Sequence, residues 1–227
     1  ERVSVVELAG RDPKDFVPVL KGAGIKVIHK SPAVRFAKKA EAAGVDAVSI
    51  VGFECGGHPG MDDVTTMVLI PSVVEAVNIP VIAGGGICDS RSYLAARCLG
   101  AEGVIMGTRF VATKECIIHP NFKKLFVEAD ERSTAIVQRS IKNAARNYKN
   151  ANIEKLIELE KGSPTFDEVI ALVSGAKQKA CYENGDLDGG AIPCGEVVGR
   201  IKDVLTVKEV IDEIVVNSEK ILRDLIK

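Results

Sequence analysis

The feature that most constrains this chain is an alternation of short β-branched runs with helix-like segments over residues 1–112. Five runs recur: "VSVVEL" (3–8), "IKVIHK" (25–30), "DAVSIVG" (46–52), "PVIAGG" (80–85) and "GVIMGT" (103–108). They are near-continuously apolar, the pattern expected of strands buried on both faces. The punctuation between them is helical. Asp12-Pro13 and Ser31-Pro32 each pair an N-cap residue with proline at the first helical position, and Gly24 and Gly44 follow the helix ends. Strands alternating with helices predict right-handed βαβ units on a parallel sheet.

Two consecutive runs end in glycine-rich loops, "AGGGICDS" (83–90) and "MGTRF" (106–110). Glycine lets backbone N–H groups crowd an anion without a Cβ in the way. Asp89 or Ser90 then begins a helix whose positive end could face the same anion. A nucleotide-binding open sheet would place Gly-x-Gly-x-x-Gly after its first strand, whereas here Asp89 stands at the third glycine's position. Adjacent phosphate loops after the seventh and eighth strands are instead a habit of the (β/α)8 barrel.

The strand count then becomes informative. A barrel needs eight strands and about 250 residues, and five strands precede residue 112 of this 227-residue chain. The expected architecture is therefore α/β, a (β/α)8 TIM barrel of which strands four to eight are present, plus a C-terminal helical insertion. On that reading residues 1–112 form five βα units, and an upstream segment or a partner chain supplies the rest. Open sheet edges would otherwise favour association. Residues 113–199 read as a helical lid: 113–182 are charged and helical in rhythm without strand runs, with a start at Ser163-Pro164 before "TFDEVIALV", and 183–199 are turn chemistry. Residues 200–227 supply a final barrel-packing helix. Thr206 and Glu209 fit a capping box, and Val207, Val210, Ile211, Ile214, Val215, Ile221, Leu222 and Leu225 make one apolar stripe expected to pack on the sheet.

Beyond the third run lies "GFECGGHPG", which sets His58 in a glycine loop at the same carboxyl end as the two phosphate loops. In a barrel that end is the active face, and a neutral imidazole there can accept a proton near physiological pH. Glu54 and His58 are not a helical metal pair, because Gly56, Gly57 and Pro59 oppose a helix. Cys55-x-x-His58 has metal-like spacing without a second ligand pair, so no metal is expected. Cys55 as a nucleophile would need an activating base and an oxyanion hole. A structural role for His58 remains the plain alternative, and His29 and His119 read as structural. With aromatics at 4%, a formal charge of −1 and no basic block, nucleic acid is a poor partner. No apolar run approaches the ~18 residues of a membrane span. Six singly scattered cysteines suggest reduced thiols and a cytoplasmic protein, although the sequence begins at Glu1 and leaves upstream signals invisible.

Together "GFECGGHPGMDDVTT", "IPVIAGGGICDSRS" and "LGAEGVIMGTRFVAT" resemble the nitronate monooxygenase family, formerly 2-nitropropane dioxygenases, and "RSIKNAARN" and "GEVVGRIKD" extend the likeness more loosely toward the C-terminus. Flavin-type enoyl-acyl-carrier-protein reductases and some NAD(P)H:quinone reductases resemble the same superfamily. The resemblance implies a TIM barrel with non-covalent FMN at its carboxyl face. It implies His58 as the catalytic histidine and Gly56 as an FMN contact. Gly85 and Gly86 would form the first phosphate loop, and Ile105, Met106, Gly107 and Thr108 the second. The implied reaction oxidises an alkyl nitronate with O2 to a carbonyl compound and nitrite. A nitronate or nitroalkane would be the small-molecule partner, and a homo-oligomer is compatible. The chain departs from the family at Val51, where a glutamine usually reaches the flavin. Two alternatives stay open: an NAD(P)H-dependent flavin reductase of enoyl thioesters or quinones, and a non-catalytic half-barrel that binds a phosphate ligand or completes a partner.

Overall fold

A computed structural model describes residues 3–226. The expected runs become β1 (Val5–Ala9), β2 (Lys26–Ser31), β3 (Ala47–Val51), β4 (Val81–Gly84) and β5 (Gly103–Ile105). All five pair in parallel, in chain order, as one sheet. A doubly wound sheet reverses its order at a switch point, whereas unbroken order is that of a barrel wall. The architecture is the arc of a (β/α)8 barrel. After a 3-10 turn at Pro13–Asp15, the crossovers are α1 (Val17–Gly22), α2 (Val34–Ala42), α3 (Thr66–Val74) and α4 (Ser90–Cys98). Gly24 and Gly44 take φ of +75° and +88° just past α1 and α2, a backbone that glycine adopts without Cβ strain.

β3 is buried on both faces as its apolar run suggests, whereas β1 and β2 are not. Alternation sends Val27, Val48, Ile50, Val81 and Ala83 outward into one core with Ala37 and Ala40 of α2 and Leu69, Ile70 and Val73 of α3. The opposite face looks into the barrel and carries Glu7, Lys26, Lys30 and Ser49 (Ser49 Oγ donates to Glu7 Oε1 at 2.5 Å). Val5, on that inner face of β1, is 50% exposed. Each edge strand also keeps one row of unpaired backbone groups among the described residues. Expressed as these 227 residues, the protein is expected to self-associate in sedimentation experiments. A cooperative, soluble monomer would contradict this account of the edges.

Residues 113–199 depart from the helical expectation. α5 (Thr108–Val111) and α6 (Pro120–Glu128) lead into an antiparallel hairpin of β6 (Thr134–Val137) and β7 (Ala145–Tyr148). Strands of 4 residues are too short for a period-2 signal to rise above charged neighbours. The helices α7 (Ala151–Glu160), α8 (Phe166–Val173) and α9 (Gly175–Asn184) follow, then a 3-10 segment at Glu196–Arg200 and α10 (Val207–Leu225). Phe122, Phe126, Ile192, Val198 and Ile201 anchor a second core beneath this region.

Three local expectations are revised. Ser31 ends β2 and bonds His29 Nδ1 at 3.0 Å, so it caps nothing; α2 begins at Val34. Thr165, not Ser163, caps α8, in a capping box with Glu168. Thr206 and Glu209 do cap α10 as expected. That helix packs on α4 and not on the sheet: Val210, Ile214 and Ser218 are buried, and Ser218 Oγ lies 3.5 Å from Ser90 O. Ile211 and Val215, part of the predicted stripe, remain exposed. His29 is structural, its Nε2 facing the Arg11 carbonyl at 2.9 Å, and His119 caps α6 by accepting from Asn121 N. Among the described residues no helix is long and apolar enough to cross a membrane.

Candidate active site

The histidine loop is held by close backbone approach. A Cβ on Gly52 would collide with Thr66, and one on Gly56 would lie 2.6 Å from the Cys194 carbonyl carbon. Both positions therefore exclude any other residue. Glu54 supplies what the helix cap Thr65 does not: its carboxylate accepts from Thr66 N at 2.9 Å and from Thr66 Oγ1 at 2.8 Å, closing the first turn of α3. From the other side, β7 pairs with the loop, since Arg146 N donates to Gly57 O at 2.6 Å and Gly57 N to Arg146 O at 3.0 Å.

Arg146 completes that clamp. It is buried, donates to Phe53 O at 2.9 Å and to Thr134 Oγ1 at 3.0 Å, and pairs with Glu196 at 2.8 Å. Its guanidinium also stacks 4.6 Å from the centre of the Phe53 ring. The hairpin and the 3-10 segment thus fix the loop that carries His58.

The two glycine loops meet in a cavity of about 270 Å³. Gly56, Gly85, Gly86, Ile105, Met106, Gly107 and Thr108 all line it, so every residue expected to hold a cofactor is gathered there. Gly86 sits at φ +75°, and a Cβ on Gly107 would meet no atom within 4 Å, being directed into open space. Among the described residues no backbone acceptor takes the N–H of Gly86, Gly107 or Thr108. Unmatched N–H groups around a space free of side chains fit a phosphate. The helix end expected to assist does not. Asp89 caps α4 with its own carboxylate, accepting from Ser92 N at 2.9 Å and pairing with Arg200 at 2.5 Å. The first turn of α4 is thus already capped from within the chain.

A larger cavity of about 680 Å³ adjoins it, and both are lined by Lys30, Val51 and Gly56. His58 lies on the larger one, opposite Asn143 from the β6–β7 turn. The Asn143 amide donates from Nδ2 to His58 Nε2 at 3.1 Å and reaches Gln138 Oε1 at 3.4 Å. A donor at Nε2 makes that nitrogen the lone-pair side of a neutral ring, with the ring hydrogen on Nδ1. Loss of water around the ring, and secondarily the Lys30 ammonium, hold the His58 pKa below the ordinary histidine value. The site thus sets a neutral imidazole beside a cavity lined by backbone N–H groups that have no backbone acceptor. Cys55 does not compete for the chemistry: it is buried, and burial pushes its thiol up to about 11. Among the described residues no group of three His, Cys, Asp or Glu side chains could hold a metal ion.

Asn143, Arg146 and Lys30 escaped the sequence reading. Asn143 and Arg146 lie 85 and 93 positions from the loop residues they bond, and no local periodicity announces such a contact. Lys30 had a faint signal, a cation at the carboxyl end of a strand, but Lys26 and His29 on the same strand blurred it.

Comparison with known proteins agrees with this geometry. Residues 1–217 match the family model for nitronate monooxygenase. A Bacillus subtilis probable nitronate monooxygenase is 31% identical over 92% of this chain and 62% of its own length. A Rhodococcus jostii (3aS,4S,5R,7aS)-5-hydroxy-7a-methyl-1-oxo-octahydro-1H-indene-4-carboxyl-CoA dehydrogenase is 31% identical over 97% of this chain and 72% of its own. The solved FabK from Thermotoga maritima superposes with a TM-score of 0.92 at 37% identity, over 98% of this chain and 70% of that one. With a match that takes in both glycine loops, the histidine loop and the hairpin that clamps it, the chain belongs to the nitronate monooxygenase family.

Proposed function

We propose that this chain binds FMN non-covalently and serves the oxidation of alkyl nitronates by O2 to a carbonyl compound and nitrite. The observation that carries this reading is the shared wall of Lys30, Val51 and Gly56, which joins the glycine cradle to the His58 cavity. The N–H groups of Gly86, Gly107 and Thr108 would hold the phosphate, with Gly56, Gly85, Ile105 and Met106 completing the wall. FMN, when bound, supplies the capacity to accept two electrons. His58 would take the proton from the carbon next to the nitro group at Nε2, the substrate displacing the Asn143 amide that holds this lone pair in the free protein. The hairpin region roofs the cavity and keeps water from the carbanion-like carbon.

Gly107→Ala tests the cradle without straining the fold. Gly107 has φ −101°, which any residue adopts, and its Cβ would meet no protein atom. The variant is expected to keep its melting temperature while losing FMN occupancy, read from absorbance and from FMN released on denaturation. Full FMN content in this variant would remove the phosphate assignment.

A second reading draws support from the carboxyl-CoA dehydrogenase relative and from the FabK likeness: a flavin-dependent reductase that takes hydride from NAD(P)H and acts on an acyl thioester. The 680 Å³ cavity is roomy for a small nitronate. Anaerobic mixing separates the two. Bleaching of the flavin by a nitronate but not by NADH or NADPH supports the first reading, and the reverse pattern supports the second.

A further inference from the structure

Lys30 stands on the inner face of β2, in register with Ser49 of β3, at the point where the two cavities meet. It is only partly exposed, and among the described residues its ammonium makes no hydrogen bond or ion pair. The carboxylates that could neutralise it are engaged elsewhere. Glu7, on the same inner face, accepts from Ser49 at 2.5 Å, and Glu54, on the cradle wall, is bound to Thr66. Asp12, at the rim of the larger cavity, pairs with Lys39 at 2.8 Å. A half-buried cation without a paired carboxylate is costly and gains when a ligand brings negative charge beside it.

From this we infer that Lys30 faces the flavin ring and stabilises the negative charge the ring acquires on accepting electrons. The inference rests on the FMN reading of the cradle. Val51, which shares the wall with Lys30, is apolar, so the charge on that shared wall comes from Lys30 on the neighbouring strand. A neutral donor favours the anionic reduced flavin only modestly. A cation favours the reduced form, by an amount that grows as the closed site excludes water.

The test is the reduction potential of bound FMN, measured by anaerobic reductive titration against a reference dye in the flavin-loaded protein. Lys30→Met is expected to make the potential more negative, equivalent to a loss of about tenfold or more in the preference for reduced over oxidised flavin. Lys30→Arg is expected to restore most of it. Lys30→Gln serves as the second neutral variant should the Met variant release its cofactor. An unchanged potential in either neutral variant overturns the inference. So does a rise confined to KM for nitronate, which would assign the ammonium to the anionic substrate. If both neutral variants lose FMN while the Arg variant keeps it, the charge serves binding of the oxidised cofactor, and the tuning role is likewise overturned. Failure of the cofactor reading itself shows earlier and separately, as unmodified protein that releases no FMN.

Discussion

His58→Ala in the flavin-loaded protein is expected to lower turnover of a neutral nitroalkane by about 10²–10⁴-fold, the usual contribution of a positioned proton acceptor. FMN content and melting temperature should stay close to those of the unmodified protein, because His58 belongs to no core cluster and its only hydrogen-bond partner among the described residues is Asn143. The loss should be smaller for a preformed nitronate, whose carbon has already given up its proton. Equal losses on both substrates with a lowered melting temperature would return His58 to a structural role. The pH profile gives a second check. A histidine pKa held down by desolvation and by Lys30 keeps the base neutral below its ordinary value of about 6.5. The acid limb for nitroalkane turnover should therefore lie below that value. The same shift acts on stability. The unfolded chain takes up this proton first, so stability falls as pH drops from the ordinary value through the depressed one. His58→Ala should remove that part of the acid sensitivity.

Arg146→Met is the variant expected to cost most in stability. Removing the guanidinium leaves the Phe53 carbonyl and Thr134 hydroxyl without their donor and Glu196 without its partner. Breaking one side of a buried pair costs on the order of 3 kcal/mol, here at the lower end of the range because Glu196 keeps access to water. In a chain of this size that is a drop of roughly 6–12 °C in melting temperature. The damage should reach the site as well: a loosened hairpin frees Gly57 and with it the loop that positions His58, so nitroalkane turnover should fall along with stability. Lys at this position should rescue little, since an ammonium cannot reach Phe53, Thr134 and Glu196 at once or stack on the Phe53 ring. A melting temperature unchanged in Arg146→Met would mean that the hairpin does not clamp the loop.

Much of the barrel and of the cradle was legible in advance. Strand order, helix punctuation and the glycine positions are written in short windows, because backbone propensity and the tolerance of positive φ are local properties. Gly85 and Gly86, at φ +89° and +75°, are glycine for that reason. Gly56 is a different case: it lines the cradle, yet the approach of the Cys194 backbone alone requires it to lack a side chain. The hairpin at Thr134–Val137 and Ala145–Tyr148 was not legible. Its strands are short, and part of what stabilises β7 is pairing with Gly57 and Pro193 far along the chain.

Short windows of sequence were enough to set a parallel α/β chain with two glycine-rich loops and a histidine at the same end of the sheet, because each of these depends on neighbours a few positions away. Tertiary structure alone decided what surrounds them. It set Asn143 against His58, engaged Asp89 at the start of α4 and Glu54 at the start of α3, buried the Cys55 thiol, and left Lys30 without an ion pair among the described residues where the two cavities join. The physical reason is that charge pairing, desolvation and hydrogen-bond orientation depend on which atoms meet once the chain has closed on itself. Separations of 85 positions or more, as between His58 and Asn143, leave no trace in any local pattern.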